Sequence, residues 1–349
     1  MMCAEDKNPE AIERECRAVG ALLGLALGDA LGMPTQSMSE QEIRAIYGHI
    51  DRLRDAIAEQ PIAPNMPAGS VTDDTEQALL VGELIVDGAG HITPLTLAHR
   101  LLDWEDDMVR RGSLDLLGPS TKYALEQIRQ GADSRTTGRT GTTNGAAMRV
   151  TPVGIANSTR DLDRFAERVY ESCKVTHNTV DGFTAASLVA GAVSLGIDGA
   201  STREALTGAL ELMEALQEYM ASFECAWSAK ADVVARARAA LALAQRPYES
   251  EGQFLTAVRL ECGTSVESNE SIPAAFALAW YYADRPFEAV CGAASLGGDT
   301  DTMGAICGAI CGASGGAEKF PQSELQKIEE VAHLDVTPLA HALLEVREK

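Results

Sequence analysis

The chain has 349 residues and a mass of 37.0 kDa, long enough to bury a core without disulfides, which excludes a small cross-linked scaffold. Lys and Arg number 29 against 51 Asp and Glu, a formal charge of −22; such a surface repels phosphate backbones and anionic lipid, so neither nucleic acid nor a membrane is expected as a partner. Hydrophobic residues at 46% and charged residues at 23% exclude a disordered chain, and aromatic residues at only 5% leave the core to Ala, Leu, Val, Ile and Gly.

Residues 1–17 are charged and lack the apolar stretch of a secretory signal, so a cytoplasmic protein is expected. In keeping with that, Cys3, Cys16, Cys173, Cys225, Cys262, Cys291, Cys307 and Cys311 are scattered without zinc-site spacing, and are expected to be reduced, mostly in the core. The segment Ala18–Pro34 is almost wholly apolar, but it is short for a membrane span and carries Asp29, so it reads as a buried helix. Glu59–Gly69, with three prolines, reads as a loop, and Pro94–Arg111 as a helix. Gly131–Gly145 is a second loop. Helical periodicity then returns in Arg160–Val175, Val180–Leu195, Thr202–Gln245 and Pro273–Ala283. Strand signatures are almost absent and no internal repeat is visible. The expectation is therefore one all-α domain over residues 1–349, a compact multi-helix bundle of ten or more helices.

Glycine spacing singles out two helices as central. Gly20, Gly24, Gly28 and Gly32 fall four apart, as do Gly304, Gly308 and Gly312. Mid-helix glycine costs about 1 kcal/mol against alanine, so each row implies a close backbone approach that recovers the loss. Two further segments place acids and hydroxyls where helices should begin: Ser70-Val71-Thr72-Asp73-Asp74-Thr75 and Gly297-Gly298-Asp299-Thr300-Asp301-Thr302. One reading is helix capping, which needs a single such side chain. The other is that both segments meet at one site. Four carboxylates gathered there would repel unless cations lay between them, and oxygen donors without His or Cys suit Mg²⁺ or Mn²⁺.

Five blocks in order, Gly20–Pro34, Ser70–Thr75, Thr143–Gly154, Thr176–Gly182 and Ser295–Ala313, resemble those of the ADP-ribosylglycohydrolases, the family of the dinitrogenase reductase-activating glycohydrolases. The resemblance spans a core of about residues 17–325. It implies an all-α bundle with a binuclear Mg²⁺ or Mn²⁺ site at helix N-termini, with Thr72, Asp73, Asp74, Asp299, Asp301 and Thr302 as metal ligands. It also implies hydrolysis at the anomeric carbon of a ribose linked to a protein nitrogen or oxygen. Asp73, Asp74 and Asp299 are the candidates for the catalytic proton relay, with no choice among them, because coupled carboxylates share their protons.

The remaining blocks point to substrate binding. Asn144, Gly145, Ala146 and Met148 lie in a loop whose small residues let backbone N–H groups approach a pyrophosphate or ribose, although Asn-Gly is also an ordinary turn pair. Arg149 fits either this loop's ligand or a structural ion pair. By the resemblance His177 borders the metal pocket, although a lone histidine also serves to bond backbone. Asp29 should bond a helix end or a metal-bound water. Two departures bear on the substrate. Gln36 stands where relatives carry Glu, and a carboxamide neither accepts a proton nor balances a cation. Asp115 stands one residue upstream of the acid that marks arginine-linked substrates.

The substrate is thus an ADP-ribosylated protein side chain or, alternatively, a small N-ribosyl compound such as a nucleoside or ADP-ribosyl metabolite. A non-catalytic crystallin-like or ADP-ribose-binding protein is the third reading, disfavoured by the intact acidic segments. Tyr219, Phe223 and Trp227 at helical spacing read as core, with a stacking wall for a base as the lesser option, and Tyr281 and Tyr282 pose the same choice. Nothing marks the oligomeric state.

Overall fold

The computed structural model describes residues 9–114 and 117–349. Its organising contact is the one the glycines predict. Helix α1 (Pro9–Gly32) packs most extensively on α15 (Thr300–Gly315). A methyl group added at Gly24 would stand 2.2 Å from the Gly308 carbonyl oxygen, and one at Gly28 1.9 Å from that of Gly304. The two backbones therefore touch. The helices run antiparallel, with Gly20 against Gly312 at one end and Gly32 against Thr300 and Asp301 at the other. This seam sets the end of α1 beside the start of α15.

The other helices wrap this pair. After α2 (Glu40–Tyr47), capped by Ser39 and Glu42, the proline-rich stretch carries no helix until α3 (Asp73–Asp87). Helix α4 (Pro94–Arg111) has the predicted bounds, with Thr93 as its cap and Gly112 in the left-handed conformation as its stop. Next come α5 (Pro119–Arg129), the short α6 (Gly145–Met148) and α7 (Thr151–Ala156), and then α8 (Leu162–His177). Helix α9 (Val180–Ile197) is apolar around its whole circumference because α7, α8, α10 and α15 enclose it.

The long periodic run from Thr202 to Gln245 is two helices, not one: α10 (Thr202–Ser222) and α11 (Val233–Ala244). The break moves Trp227 off the helical face, and its ring is 79% exposed, so core packing does not apply to it. Phe223 does pack, stacked 4.2 Å from Tyr170. Helices α12 (Glu251–Glu261), α13 (Ser268–Tyr281) and α14 (Pro286–Ala294) follow, and Phe254 stacks on Tyr281 at 3.8 Å, which packs that half-buried tyrosine against the apolar core. Helices α16 (Gln322–Val331) and α17 (Thr337–Arg347) close the chain. Among the described residues there is no strand, only isolated bridges such as Thr143 to Glu267, and no cysteine is cross-linked.

Candidate active site

The N-terminus of α3 leaves N–H groups that need acceptors. Thr72, its capping residue, makes no side-chain cap bond. Asp29, reaching across from α1, supplies the acceptors instead. It takes the backbone N–H of Thr72 at 3.0 Å and of Thr75 at 3.1 Å, together with both threonine hydroxyls. Burial pushes its carboxyl up to about 6 against these bonds. The expectation that Asp29 bonds a helix end therefore holds, and Asp73 and Asp74 are released from capping. At the start of α15, Asp299 likewise makes no side-chain cap bond. Thr300 instead donates its hydroxyl to the Gly32 carbonyl at 3.0 Å, tying α15 to α1.

The two acidic segments meet. The Thr302 hydroxyl donates to Asp74 Oδ2 at 3.2 Å across 228 residues of sequence. Burial, then the nearby carboxylates of Asp73, Asp301, Asp29 and Asp299, pushes Asp74 well above the ordinary carboxylate range. A cavity of about 290 Å³ opens over this ring, and Asp73, Asp299, Asp301 and Thr302 line it together with Gln36, Asn144, Gly145 and Met148. Thr72 and Asp74 are buried beneath it. Capping is therefore not what these acids do.

The loop Thr143–Gly145 forms one wall. Asn144 is held by its N–H to the Val266 carbonyl at 2.9 Å and by its amide to Ser271 Oγ at 2.9 Å and Asp299 Oδ2 at 2.5 Å. Burial pushes Asp299 up to about 6 while the Asn144 bond opposes the rise. Gly145 leaves a tight fit for any side chain: a methyl would stand 3.1 Å from the His177 ring. His177, expected among the substrate-binding residues, is fully buried behind the loop, as is Ala146, and neither lines the cavity. Its ring bonds Thr143 Oγ1 through Nε2 at 3.0 Å, so it supports the wall from behind. Asp115 lies outside the described residues. Gln77, which no sequence segment marks, also belongs to the setting of the site: its Nε2 donates to Asp73 Oδ2 at 3.0 Å, a contact that the four-residue spacing along α3 allows.

The donor set fits a hard divalent cation. Every candidate ligand atom is a carboxylate or hydroxyl oxygen, and Asp74 Oδ1 is buried with no hydrogen-bond partner, a state that costs free energy unless a ligand meets it. Among the described residues, however, no three acidic, histidine or cysteine side chains are already drawn together as a metal cluster. The binuclear site expected at the helix N-termini is therefore not shown as such; what the described residues form is an acidic ring around a cavity.

One consequence can be read in metal-free protein. Asp299, at about 6 in the fold against 3.8 when unfolded, keeps a proton between about pH 4 and 6 that the unfolded chain has released. Its contribution therefore turns unfavourable as pH rises through that window. With chelator present, Asp299→Asn is expected to melt above the wild type at pH 7, by about 2 °C or more. The gap should close as the pH falls to about 4; differential scanning calorimetry across that range checks this, and a gap independent of pH would refute it.

The ADP-ribosylglycohydrolase family profile matches residues 10–349. The chain is similar to the uncharacterized protein YegU of Escherichia coli (strain K12), 33% identical over 339 residues that cover 95% of this chain and 98% of that one. It is also similar to the ADP-ribosylhydrolase ARH3 of Bos taurus, 29% identical over 361 residues, 95% of this chain and 93% of that one. A solved ADP-ribosylglycohydrolase-related protein complex shares the fold, with a TM-score of 0.67 at 24% identity over 96% of this chain and 99% of that chain.

Proposed function

The chain belongs to the ADP-ribosylglycohydrolase family, and from that premise we propose that it hydrolyses the ribosyl glycosidic bond of ADP-ribosylated protein side chains, with two Mg²⁺ or Mn²⁺ ions as cofactors. The observation that carries this reading is the meeting of the two acidic segments, with an unpartnered buried Asp74 oxygen, beneath a cavity that Asp73, Asp299 and Asp301 line. Thr72, Asp73, Asp74, Asp299, Asp301 and Thr302 would hold the cations. When bound, such ions orient a diol and make water a better nucleophile.

The chain's own residues divide the rest of the work. Asp73 and Asp299 reach the cavity and can exchange a proton with what sits there, whereas Asp74 is buried and does not line it. Asn144 fixes the Asp299 carboxylate through its amide, so that one oxygen keeps a set direction. Gly145, whose missing side chain would meet the His177 ring, lets the cavity wall pack closely on the support behind it. Met148 contributes an apolar surface to the same cavity.

A second reading, hydrolysis of a small N-ribosyl compound by the same residues, is favoured by Gln36. It is 93% buried on the cavity wall, its relative exposure being 7%, and its Nε2 has no hydrogen-bond partner. An amide donor suits a neutral acceptor on the ligand better than it suits a cation.

Titration calorimetry separates the two. Mn²⁺-loaded protein is expected to bind ADP-ribose at least about 10-fold more tightly than ribose or a nucleoside, and to lose that binding on chelation. Tighter binding of a nucleoside would establish the second reading. Binding of ADP-ribose that survived chelation would remove the cations from the scheme.

A further inference from the structure

Arg149 is fully buried, and among the described residues its guanidinium has no carboxylate within ion-pair distance. Burial lowers it to about 10, so it remains charged at neutral pH. Its bonds lead in two directions. Nη1 donates to Gln77 Oε1 at 3.1 Å; because a guanidinium only donates, the Gln77 amide must turn its oxygen to Arg149 and its Nε2 to Asp73 Oδ2, 3.0 Å away. Nη2 donates to Thr176 Oγ1 at 2.7 Å. That hydroxyl, having accepted from Arg149, can give its own proton to His177 Nδ1 at 2.9 Å, which is the arrangement taken for the ring. The other ring nitrogen then carries the hydrogen and donates to Thr143 Oγ1 at 3.0 Å. Burial and the charge of Arg149 hold His177 neutral, as this sequence of donors demands.

We propose that Arg149 is a positioning residue with two arms: through Gln77 it fixes the orientation of Asp73 toward a divalent cation, and through Thr176 and His177 it fixes the Thr143–Gly145 wall against the sugar. The inference rests on the function proposed above and assigns roles to groups that touch neither cation nor substrate. The chain of donors is directional from one charged source, so each arm can be cut without cutting the other. Every group in it, from Gln77 and Thr176 to His177 and Thr143, is buried, where a hydrogen bond is stronger and its loss is felt more than in water.

The test is a crossover in binding, read by titration calorimetry with Mn²⁺ and with ADP-ribose on the full-length protein. Gln77→Leu is expected to weaken Mn²⁺ about 10-fold or more, the usual effect of losing a partner behind a metal ligand. It should leave ADP-ribose affinity at saturating Mn²⁺ within about 2-fold. Thr176→Val, which keeps the side-chain shape, is expected to do the reverse: ADP-ribose weakened about 10-fold, Mn²⁺ within about 2-fold. Thr176→Ser restores the hydroxyl and should restore ADP-ribose affinity. Unchanged affinities in the Gln77 and Thr176 variants, or equal losses of both ligands in each, would overturn the inference, since a purely structural role has no reason to sort by ligand. A wild-type protein that bound neither Mn²⁺ nor ADP-ribose would instead overturn the proposed function and this inference with it.

Discussion

Asp301→Asn is expected to fold, to melt without metal at or above the wild-type temperature, and to lose hydrolysis by more than about 100-fold. The loss is set at that level because even groups behind a metal ligand cost 10- to 100-fold when removed, and Asp301 lines the cavity itself. Asparagine keeps an acceptor for the Thr302 N–H, now bonded to Asp301 Oδ1 at 3.0 Å, so the first turn of α15 is preserved. It also removes one of the charges that push Asp74 upward, which relieves the empty ring. Stability and activity should thus move in opposite directions in one variant. Calorimetric melting beside an assay of ADP-ribose release measures both; full activity would remove Asp301 from the site.

Gly28→Ala should destabilise the chain by about 2 kcal/mol or more. Alanine recovers about 1 kcal/mol of helix propensity, but its methyl would stand 1.9 Å from the Gly304 carbonyl oxygen and 2.2 Å from the carbonyl carbon. Both neighbours are backbone, so the helices must separate, and overpacking of this kind costs about 1–3 kcal/mol or more. Gly252→Ala, where the nearest atom is Ser250 Oγ at 3.9 Å on an exposed face of α12, should instead stabilise by about 0.5–1 kcal/mol. Urea unfolding of both variants tests the contrast. Equal and small effects would mean that the seam accommodates a methyl.

The seam is legible in the sequence because a repeat of four glycines writes helix contact in one dimension. The acidic segments were legible for a related reason: two carboxylates beside hydroxyls at a helix start exceed what a cap needs. What could not be read is whatever depends on a partner far along the chain. Nothing near Thr72 says that Asp29 caps α3. Nothing in the block around Asn144 says that Arg149, expected as a ligand contact or an ion pair, bonds Gln77 and Thr176 and, among the described residues, no acid. The break between α10 and α11 is hidden because residues 223–232 carry neither Gly nor Pro to punctuate the run. Trp227 was misplaced for that reason alone. His177 was harder still: a buried imidazole supporting a loop and one facing a ligand carry the same sequence signature.

The seam between α1 and α15 also governs the order in which the protein can be made. Its halves come from opposite ends of the chain, and Asp301 is delivered only after 300 of the 349 residues. A ribosome therefore releases α1 long before its glycine face has anything to meet, and contacts of such sequence separation close late and slowly. No amino-terminal fragment that stops short of α15 can assemble the acidic ring. On the proposed function, a divalent ion would accordingly meet this protein as a ligand of the finished fold, adding stability with the logarithm of its free concentration, and would take no part in nucleating it.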